Sequence, residues 1–186
     1  MNKSSPKKED FSKSCRMKGS IQSMGEANRI EIRNARPSDH SRVIGVMPDW
    51  WGGRDLRSSV PKVFFIHFCN TVFVAEKGNE LAGFLVGFLS QTDPGEGYIH
   101  FVGVHPEMRK TGLGRDLYQR FFDVCLAHSR HIVRSCTSPV NKLSIAFHQH
   151  MGFTIEPGDA AVDGVPVTMN FLRENDPKVL FKKELI

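Results

Sequence analysis

The stretch VGVHPEMRKTGLGRDLYQRFF, residues 102–122, joins a short apolar run to an amphipathic segment through a proline, cations and two glycines. Leu113, Leu117 and Phe121 recur at intervals of one helical turn, which predicts a helix with one face against a sheet. The apolar run before them predicts a strand. A glycine-rich, positively charged turn therefore lies between a strand and the start of a helix.

This turn has the composition of an anion site. Glycines allow backbone N–H groups to point outward at a helix N-terminus, which carries about half a positive charge. Arg109, Lys110 and Arg115 add full charges, so the residues predict a site for an anion with several oxygens, most simply a pyrophosphate. An ordinary turn with glycine spacers explains them equally well. Neither GxxxxGKS/T nor GxGxxG is present, which excludes the two common nucleotide fingerprints.

Length and composition indicate one soluble globular domain. Of the 186 residues, 40% are hydrophobic and 24% are charged, and a domain of this size buries roughly two-thirds of its unfolded surface. The net charge is +5, but residues 1–29 hold seven Lys and Arg against three Asp and Glu, which accounts for +4. We therefore predict a flexible basic extension over residues 1–28 and one domain over residues 29–186. Binding of the extension to nucleic acid is the weaker interpretation, and no nucleic-acid partner is expected.

Cysteine spacing and the apolar runs predict a cytoplasmic location. The four cysteines form no CxxC pair, and the first residues lack the apolar segment of a secretory signal peptide. The apolar runs at residues 63–74 and 81–89 are interrupted by polar residues or too short to cross a bilayer. We therefore expect a cytoplasmic protein with reduced thiols and no membrane partner.

Periodicity predicts a sequence of helices and strands. Helical patterns cover residues 36–47, 58–68, 111–129 and 141–152, and residues 48–56 are predicted to form a loop. Strand patterns cover residues 30–33, 71–76, 81–90, 98–104 and 131–137, with further β structure at 153–155, 165–171 and 178–185. This order predicts an α/β domain with helices packed on the faces of a mixed sheet.

Two motifs resemble those of a known family. The residues VxPExRxxGxG from Val104 and NxxSxxFHxxxGF from Asn141 resemble the two signature motifs of the GCN5-related N-acetyltransferase (GNAT) superfamily. The resemblance covers residues 30–186 and implies a mostly antiparallel sheet of about six or seven strands with about four helices. It also implies a cleft between the fourth and fifth strands. Members of this family often dimerise, which leaves a homodimer open.

The resemblance implies a reaction and a cosubstrate. An acetyl group would pass from acetyl-CoA to a primary amine of a small molecule or peptide, by direct attack in a ternary complex and without a metal. The histidines agree with the last point, because none has HExxH or paired-cysteine spacing. The rival interpretation is a catalytically silent module of the same fold that senses acyl-CoA.

The resemblance also implies which residues of the first motif hold the coenzyme. The backbone of Val102, Gly103 and Val104 is expected to pair with the pantetheine arm like an added strand. A glycine within a strand suits such a close approach. The pyrophosphate is expected to lie on the backbone amides of a loop that Arg109 opens, namely Arg109, Lys110, Thr111, Gly112, Leu113, Gly114 and Arg115.

The second motif is expected to form the far wall of the cofactor site. Asn141 would cap the next helix and bond the pantetheine, and Ser144 and Phe147 would line the wall. Many family members have a tyrosine four residues before the motif's glycine, as an acid for the leaving thiolate, and this chain has His148 there. An imidazole can donate an N–H, so His148 is the candidate acid. A packing role, and departure of the thiolate without an acid, are the alternatives.

A proton acceptor is needed on the amine side. Freeing the lone pair of an alkyl ammonium at pH 7 costs about 4.6 kcal/mol, and relatives often use a carboxylate on the fourth strand. This chain has Tyr98 and His100 instead, predicted to share one strand face opposite the core residues Ile99 and Phe101. His100 is the better candidate base because its reference pKa is closer to neutrality. A buried structural histidine is the alternative.

The loop after the first helix is expected to form a wall of the acceptor pocket. Trp50 and Trp51 would provide an aromatic surface, or would simply cover the sheet edge. Asp49 or Asp55 would hold an ammonium group, whereas Arg54 would select a carboxylate. These two interpretations conflict, and the residues leave the charge of the acceptor open.

Overall fold

A seven-stranded sheet organises residues 29–186, the part of the chain that the computed structural model describes. Its strands are β1 (Ile30–Asn34), β2 (Val72–Lys77), β3 (Glu80–Leu89), β4 (Glu96–Val104), β5 (Ile132–Thr137), β6 (Thr154–Ile155) and β9 (Val179–Glu184). The α-helices are α1 (Asp39–Trp50), α2 (Val63–His67), α3 (Leu113–Ala127) and α4 (Lys142–His150). A separate hairpin consists of β7 (Ala160–Val162) and β8 (Val165–Val167). The predicted extension, residues 1–28, lies outside the described residues.

The sheet is mixed and mostly antiparallel. Its strand order is β1-β2-β3-β4-β5-β9-β6, and only β4 and β5 run parallel. The predicted α/β class, strand number and helix number are confirmed. The strand predicted at residues 165–171 is shorter than expected, because after Val167 only an isolated bridge between Thr168 and Lys178 continues it. Within residues 29–186, no helix has the length and apolar character needed to cross a bilayer.

Helices cover both faces of the sheet, which divides the core into two clusters. On one face, α3 packs Leu117 and Phe121 against the sheet. On the other, α1 and α2 contribute Met47 and Phe65. Because β2 and β3 are buried on both sides, their sequences are continuously apolar rather than alternating.

α1 is longer than the sequence predicts. The helix continues through Pro48 to Trp50, where a loop was expected from residue 48 onward. Pro48 falls in the last turn, and the backbone N–H of Trp51 still reaches the carbonyl of Met47 at 3.1 Å. Trp50 is buried and its ring stacks on Phe84. Tertiary packing of this indole therefore outweighs the local cost of a proline within a helix.

β4 departs from regular pairing at His100. β3 pairs Val86 with Phe101 and Gly87 with Ile99, so His100 is an extra residue on β4, a β-bulge. β5 pairs with β4 only as far as Ile99. The C-terminal half of β4 consequently diverges from β5, and the expected cleft lies between these two strands.

The bulge also changes which way the side chains of β4 face. Ile99 lies in the cluster under α3, as predicted, but Phe101 packs with Trp51 on the α1 side. His100 lies on the α1 side too, since its ring stacks on Phe64 at 5.0 Å. The prediction that Phe101 faces opposite to His100 is wrong, because the extra residue interrupts the two-residue alternation on which it relied.

Ion pairs hold β4 and β5 together at the end opposite to the gap. Arg134 of β5 donates to Glu96 of β4 at 2.7 Å and also pairs with Glu156, which follows β6. All three side chains are partly buried, where bidentate pairs gain more than at an open surface. The strands are thus fixed at one end and separate at the other.

We predict that Gly87→Ala destabilises the domain by about 1–3 kcal/mol through overpacking. A Cβ at Gly87 would lie 2.5 Å from the ring of Phe121, which is fully buried and cannot move into solvent. Urea unfolding measures the effect. The matched control is Gly45→Ala in α1, where a Cβ meets nothing within 4 Å and helix propensity favours alanine by about 1 kcal/mol. Equal stabilities of the two variants would contradict this packing.

Candidate active site

Two cavities lie along the gap between β4 and β5. One has a volume of about 460 Å³ and the other about 790 Å³. We call the first the acceptor cavity and the second the cofactor cavity. They share part of their lining, so they form one continuous cleft; the shared residues are Trp51, Arg54, Val102, Tyr118, Asn141, Ser144 and His148.

Most of the predicted coenzyme residues line the cofactor cavity. They are Val102, Gly103, Val104, Arg109, Lys110, Gly112, Gly114, Arg115, Asn141, Ser144 and Phe147. Thr111 and Leu113 are the exceptions. The Thr111 hydroxyl donates to the carbonyl of Met108, and Leu113 is buried in the core. The prediction for both residues concerns their backbone amides, so it does not depend on where these side chains lie.

The glycine-rich turn has the backbone that an anion site requires. Lys110 and Gly112 have positive φ angles of 67° and 98°, and Gly112 immediately precedes α3. Gly114 lacks a Cβ at a point where one would lie 3.4 Å from the ring of Phe147. The turn thus directs backbone amides toward open space at a helix N-terminus, where an anion is favoured.

The cations of the turn have different roles. The guanidinium of Arg109 donates to the backbone carbonyls of Trp50 at 2.7 Å and Val104 at 3.3 Å, and so ties the turn to α1 and β4. Lys110 and Arg115 are exposed, and neither has an ion pair within residues 29–186. These two side chains, with the guanidinium groups of Arg54 and Arg109, which donate to backbone carbonyls, give the cofactor cavity its positive charge.

His148 lies in a buried hydrogen-bond network at the junction of the cavities. Its Nδ1 is 2.8 Å from the carbonyl of Ser144, which can only accept, so Nδ1 carries the proton of the neutral ring. Its Nε2 lies 3.0 Å from the Tyr118 hydroxyl and 3.3 Å from Ser135 Oγ. Ser135 donates to the carbonyl of Ile99, so Tyr118 is the donor to Nε2. Every proton of the network is engaged within the protein.

Tyr118 was not predicted as a site residue, although it lines both cavities. In the sequence it follows Leu117 on an amphipathic helix, so it is indistinguishable from a core aromatic residue. Burial raises the pKa of the Tyr118 phenol. Burial also lowers the pKa of His148, against the opposing hydrogen bond with Ser144. Both groups are therefore neutral at neutral pH.

His100 lines the acceptor cavity from the bulge of β4. Its Nε2 lies 2.8 Å from the carbonyl of Ser59, so Nε2 carries the proton of the neutral ring. Nδ1 has no hydrogen-bond partner within residues 29–186, and it retains contact with solvent. Burial lowers the pKa of His100, with the Ser59 hydrogen bond acting in the opposite direction. A free lone pair on Nδ1 thus faces accessible space at neutral pH.

Tyr98 lies outside both cavities. Its hydroxyl donates to Sγ of Cys136 at 3.3 Å and its ring stacks on Phe88. Burial raises its pKa. Tyr98 precedes the bulge and belongs to the half of β4 that remains paired with β5, so the structure does not bring it to the cleft with His100.

The loop after α1 contributes only part of the expected acceptor wall. Trp51 and Arg54 line both cavities, whereas Trp50 is buried and lines the cofactor cavity alone. Asp49 is exposed and lines neither cavity. Trp50 and Asp49 differ in this way because α1 continues through both residues, so that Trp50 faces inward and Asp49 faces outward.

The remaining acceptor wall comes from distant parts of the chain. Residues at the end of β5, directly after it and before β9 contribute to it, namely Cys136, Thr137, Ser138, Leu172, Arg173 and Lys178. No local motif marks the last three, because they lie in a segment that tertiary contacts, among them the bridge between Thr168 and Lys178, return to the sheet. Within the described residues no group of His, Cys, Asp and Glu side chains is arranged to hold a metal ion.

Comparisons with known proteins give a family match and several fold matches. A family model described as the acetyltransferase (GNAT) family matches residues 39–153. L-2,4-diaminobutyric acid acetyltransferase of Nocardia farcinica is 33% identical over 79 residues, which are 42% of this chain and 41% of that protein. The chain thus spans about two fifths of the length of the curated relative that it matches.

Two solved structures show a similar fold. Ard1 from Thermoplasma volcanium has a TM-score of 0.68 at 18% identity, over 84% of this chain and 98% of that one. Diaminobutyrate acetyltransferase EctA from Paenibacillus lautus, in complex with L-2,4-diaminobutyric acid and coenzyme A, has a TM-score of 0.61 at 18% identity, over 84% and 95% of the two chains. At these identities the likeness concerns the fold.

We predict that stability falls as the pH drops below about 6.5, the pKa of histidine in an unfolded chain. Below that value the unfolded state binds protons that the folded state excludes at His148 and His100, whose pKa values burial lowers. Each such histidine reduces the free energy of unfolding by up to about 1.36 kcal/mol per pH unit.

Urea unfolding between pH 7.5 and 5 measures the effect. His148→Gln should show a shallower loss of stability over this range than the unmodified protein. His128→Gln, at the exposed end of α3, is the matched control and should leave the slope unchanged. A slope that His148→Gln does not alter would show that His148 titrates normally in the folded protein.

Proposed function

The chain belongs to the acetyltransferase (GNAT) family, and from this premise we propose that it transfers an acetyl group from acetyl-CoA to a primary amine. Attack is direct, in a ternary complex, and the acceptor is a small molecule or peptide. The observation that carries the proposal is the continuous cleft, in which a cofactor cavity with an amide-rich, cationic turn meets an acceptor cavity that contains His100. L-2,4-diaminobutyrate, the acceptor named for the relative and for EctA, is one candidate substrate.

The cofactor cavity fits coenzyme A in two respects. The pyrophosphate would lie on the amides between Lys110 and Arg115, next to the exposed cations of these two residues. The pantetheine would run along Val102–Val104, where β4 has no strand partner on the β5 side, and would pair with it as an added strand. Asn141, whose side chain caps α4, lies on the opposite wall with Ser144 and Phe147.

The acetyl group would then lie where the two cavities meet. The residues common to both cavities, Val102, Tyr118 and Ser144 among them, surround this point. Because β4 bulges just before it, the carbonyl carbon would be open to an amine that enters from the acceptor side. Exclusion of water by the aromatic Trp51 and Phe101 would limit hydrolysis of the thioester.

We assign the role of base to His100. The neutral ring holds its proton on Nε2 against Ser59, so we assign Nδ1 as the atom that meets the amine in the acceptor cavity. Nδ1 takes a proton from the amine nitrogen, the nitrogen forms its bond to the acetyl carbon, and the C–S bond breaks. The imidazolium returns its proton to solvent. Its lowered pKa makes this return favourable at neutral pH.

The departing thiolate takes its proton from solvent rather than from a dedicated acid. His148 and Tyr118 are the groups nearest to the junction, but their protons are engaged by Ser144 and by His148 itself. The proposed role of His148 is therefore to hold Tyr118 and α4 in place along the thioester. A thiol with a reference pKa near 8.5 is a good enough leaving group for this scheme.

Release of free thiol from acetyl-CoA tests the proposal, over a panel of amino acids, diamines and N-terminal peptide amines. We predict turnover with at least one amine, and a fall in kcat of about 100-fold for His100→Gln at pH 7, as is usual for loss of a general base. The glutamine amide can still donate to Ser59, so the affinity for coenzyme A should be unchanged.

The pH profile and a matched variant give the test its controls. The defect of His100→Gln should shrink as the pH approaches the pKa of the amine, because free amine then forms without a base. His128→Gln, far from the cleft, should behave like the unmodified protein. An unchanged profile removes His100 as the base. Binding of acetyl-CoA without turnover of any amine would support the silent sensor instead.

We further predict that Gly114→Val weakens binding of coenzyme A by about tenfold or more, which is about 1.4 kcal/mol. A Cβ at this position makes only ordinary contacts with Phe147 and Val104, so the fold tolerates it, whereas the valine methyl groups enter the phosphate space. Calorimetry with coenzyme A and with pantetheine, which has no phosphates, separates a loss of phosphate binding from a general disturbance of the site. Equal losses for both ligands, or none, would contradict a pyrophosphate on this turn.

A further inference from the structure

We infer that the acceptor amine carries a carboxylate, which Arg173 and Arg54 bind in the acceptor cavity. The inference rests on the proposed function, since it concerns the molecule that lies beside His100. It identifies the class of substrate as small amino acids rather than polyamines or other purely cationic amines.

The charge of the acceptor cavity is the first observation. Arg54, Arg173 and Lys178 line it together with His100, and no Asp or Glu occurs among its lining residues in the described part of the chain. Lys178 is compensated by Asp176 at 2.5 Å. Arg54 and Arg173 have no ion pair within residues 29–186. Two guanidinium groups therefore remain available to an anionic group.

The location of the nearby acidic residues is the second observation. Asp49 and Asp55 are the residues that could have held a substrate ammonium, and neither lines the cavity. Asp49 is exposed on α1, and Asp55 accepts three hydrogen bonds from the backbone and guanidinium of Arg57. A diamine would thus bring an extra positive charge into a cavity that offers it only cations, and like charges in such a site oppose binding.

The two arginines come from separate segments of the chain, and their guanidinium groups suit a carboxylate in a cavity of this size. Arg54 follows Trp51 in the loop after α1, and Arg173 lies in the segment that the Thr168–Lys178 bridge returns to β9. The planar fork of a guanidinium matches a carboxylate with two parallel hydrogen bonds, which a single ammonium cannot do. With a volume of about 460 Å³, the cavity is of the size that holds small molecules.

Arg173 is the more informative of the two residues. Arg54 also lines the cofactor cavity, so its loss could affect coenzyme A as well. Arg173 lines the acceptor cavity alone. A change at Arg173 therefore tests recognition of the acceptor without touching the coenzyme site.

The experiment compares amino acids with their decarboxylated counterparts. L-lysine is paired with cadaverine and L-ornithine with putrescine, and kcat/KM is measured for each by thiol release. We predict that the amino acid of at least one pair is preferred by about tenfold or more, and that Arg173→Gln removes most of this preference by raising KM. Arg173→Gln should not impair the diamines and should, if anything, improve their use, because it removes a charge that repels them. Arg36→Gln, an exposed arginine outside both cavities, is the matched control.

The outcomes separate this inference from the proposed function. Equal use of both members of each pair, or an equal effect of Arg173→Gln on both, overturns the inference while the acetyltransferase proposal stands. If acetyl-CoA binds but no amine is acetylated, the inference is tested by calorimetric titration of the same pairs into the coenzyme A complex. Binding of the amino acids that Arg173→Gln weakens supports the inference, and absence of such binding overturns it.

Discussion

The end of hydrogen bonding between β4 and β5 is the constraint on which the rest of the structure depends. If the parallel pair continued beyond Ile99, β5 would satisfy the backbone groups of residues 100–104 and no gap would exist. The bulge at His100 instead leaves one edge of β4 free and turns Phe101 to the α1 side, where His100 also lies. The ion pairs of Arg134 keep the opposite end closed, so the separation is local and the sheet remains continuous.

The cofactor half of the cleft could be predicted because its chemistry is local. A glycine-rich turn before an amphipathic helix requires particular backbone angles, and Gly112 adopts the positive φ that few other residues tolerate. The spacing of the second motif likewise fixes which residues of α4 share a face. For Thr111 and Leu113 the prediction concerns the backbone amides alone, since the Thr111 hydroxyl bonds within the turn and Leu113 packs in the core.

The acceptor half could be predicted only in part, because tertiary contacts create it. Two-residue alternation placed Phe101 on the wrong face, since a bulge adds a residue without any clear mark in the sequence. Pro48 suggested the end of a helix that the buried Trp50 extends. Tyr118 resembles a core residue, and Arg173 lies in a segment without periodicity. Each of these depends on a partner far away in the chain.

The distribution of charge along the cleft links binding to chemistry. Cations lie at both ends, whereas His100, His148 and Tyr118 between them are neutral. An amine that entered beside Arg54 and Arg173, as we propose, would meet positive charge, which disfavours its ammonium form and would lower its pKa. Each unit of lowering removes about 1.36 kcal/mol from the roughly 4.6 kcal/mol needed to free the lone pair at pH 7.

A carboxylate on the same molecule offsets this repulsion while the acceptor binds. The charges that retain such an acceptor would therefore also help to deprotonate it, and a polycationic amine would meet the repulsion without the compensation. A weak base would be adequate under these conditions, because the ammonium form of the amine would be a stronger acid. This explains how a histidine whose pKa is lowered by burial could serve as the base in place of a carboxylate.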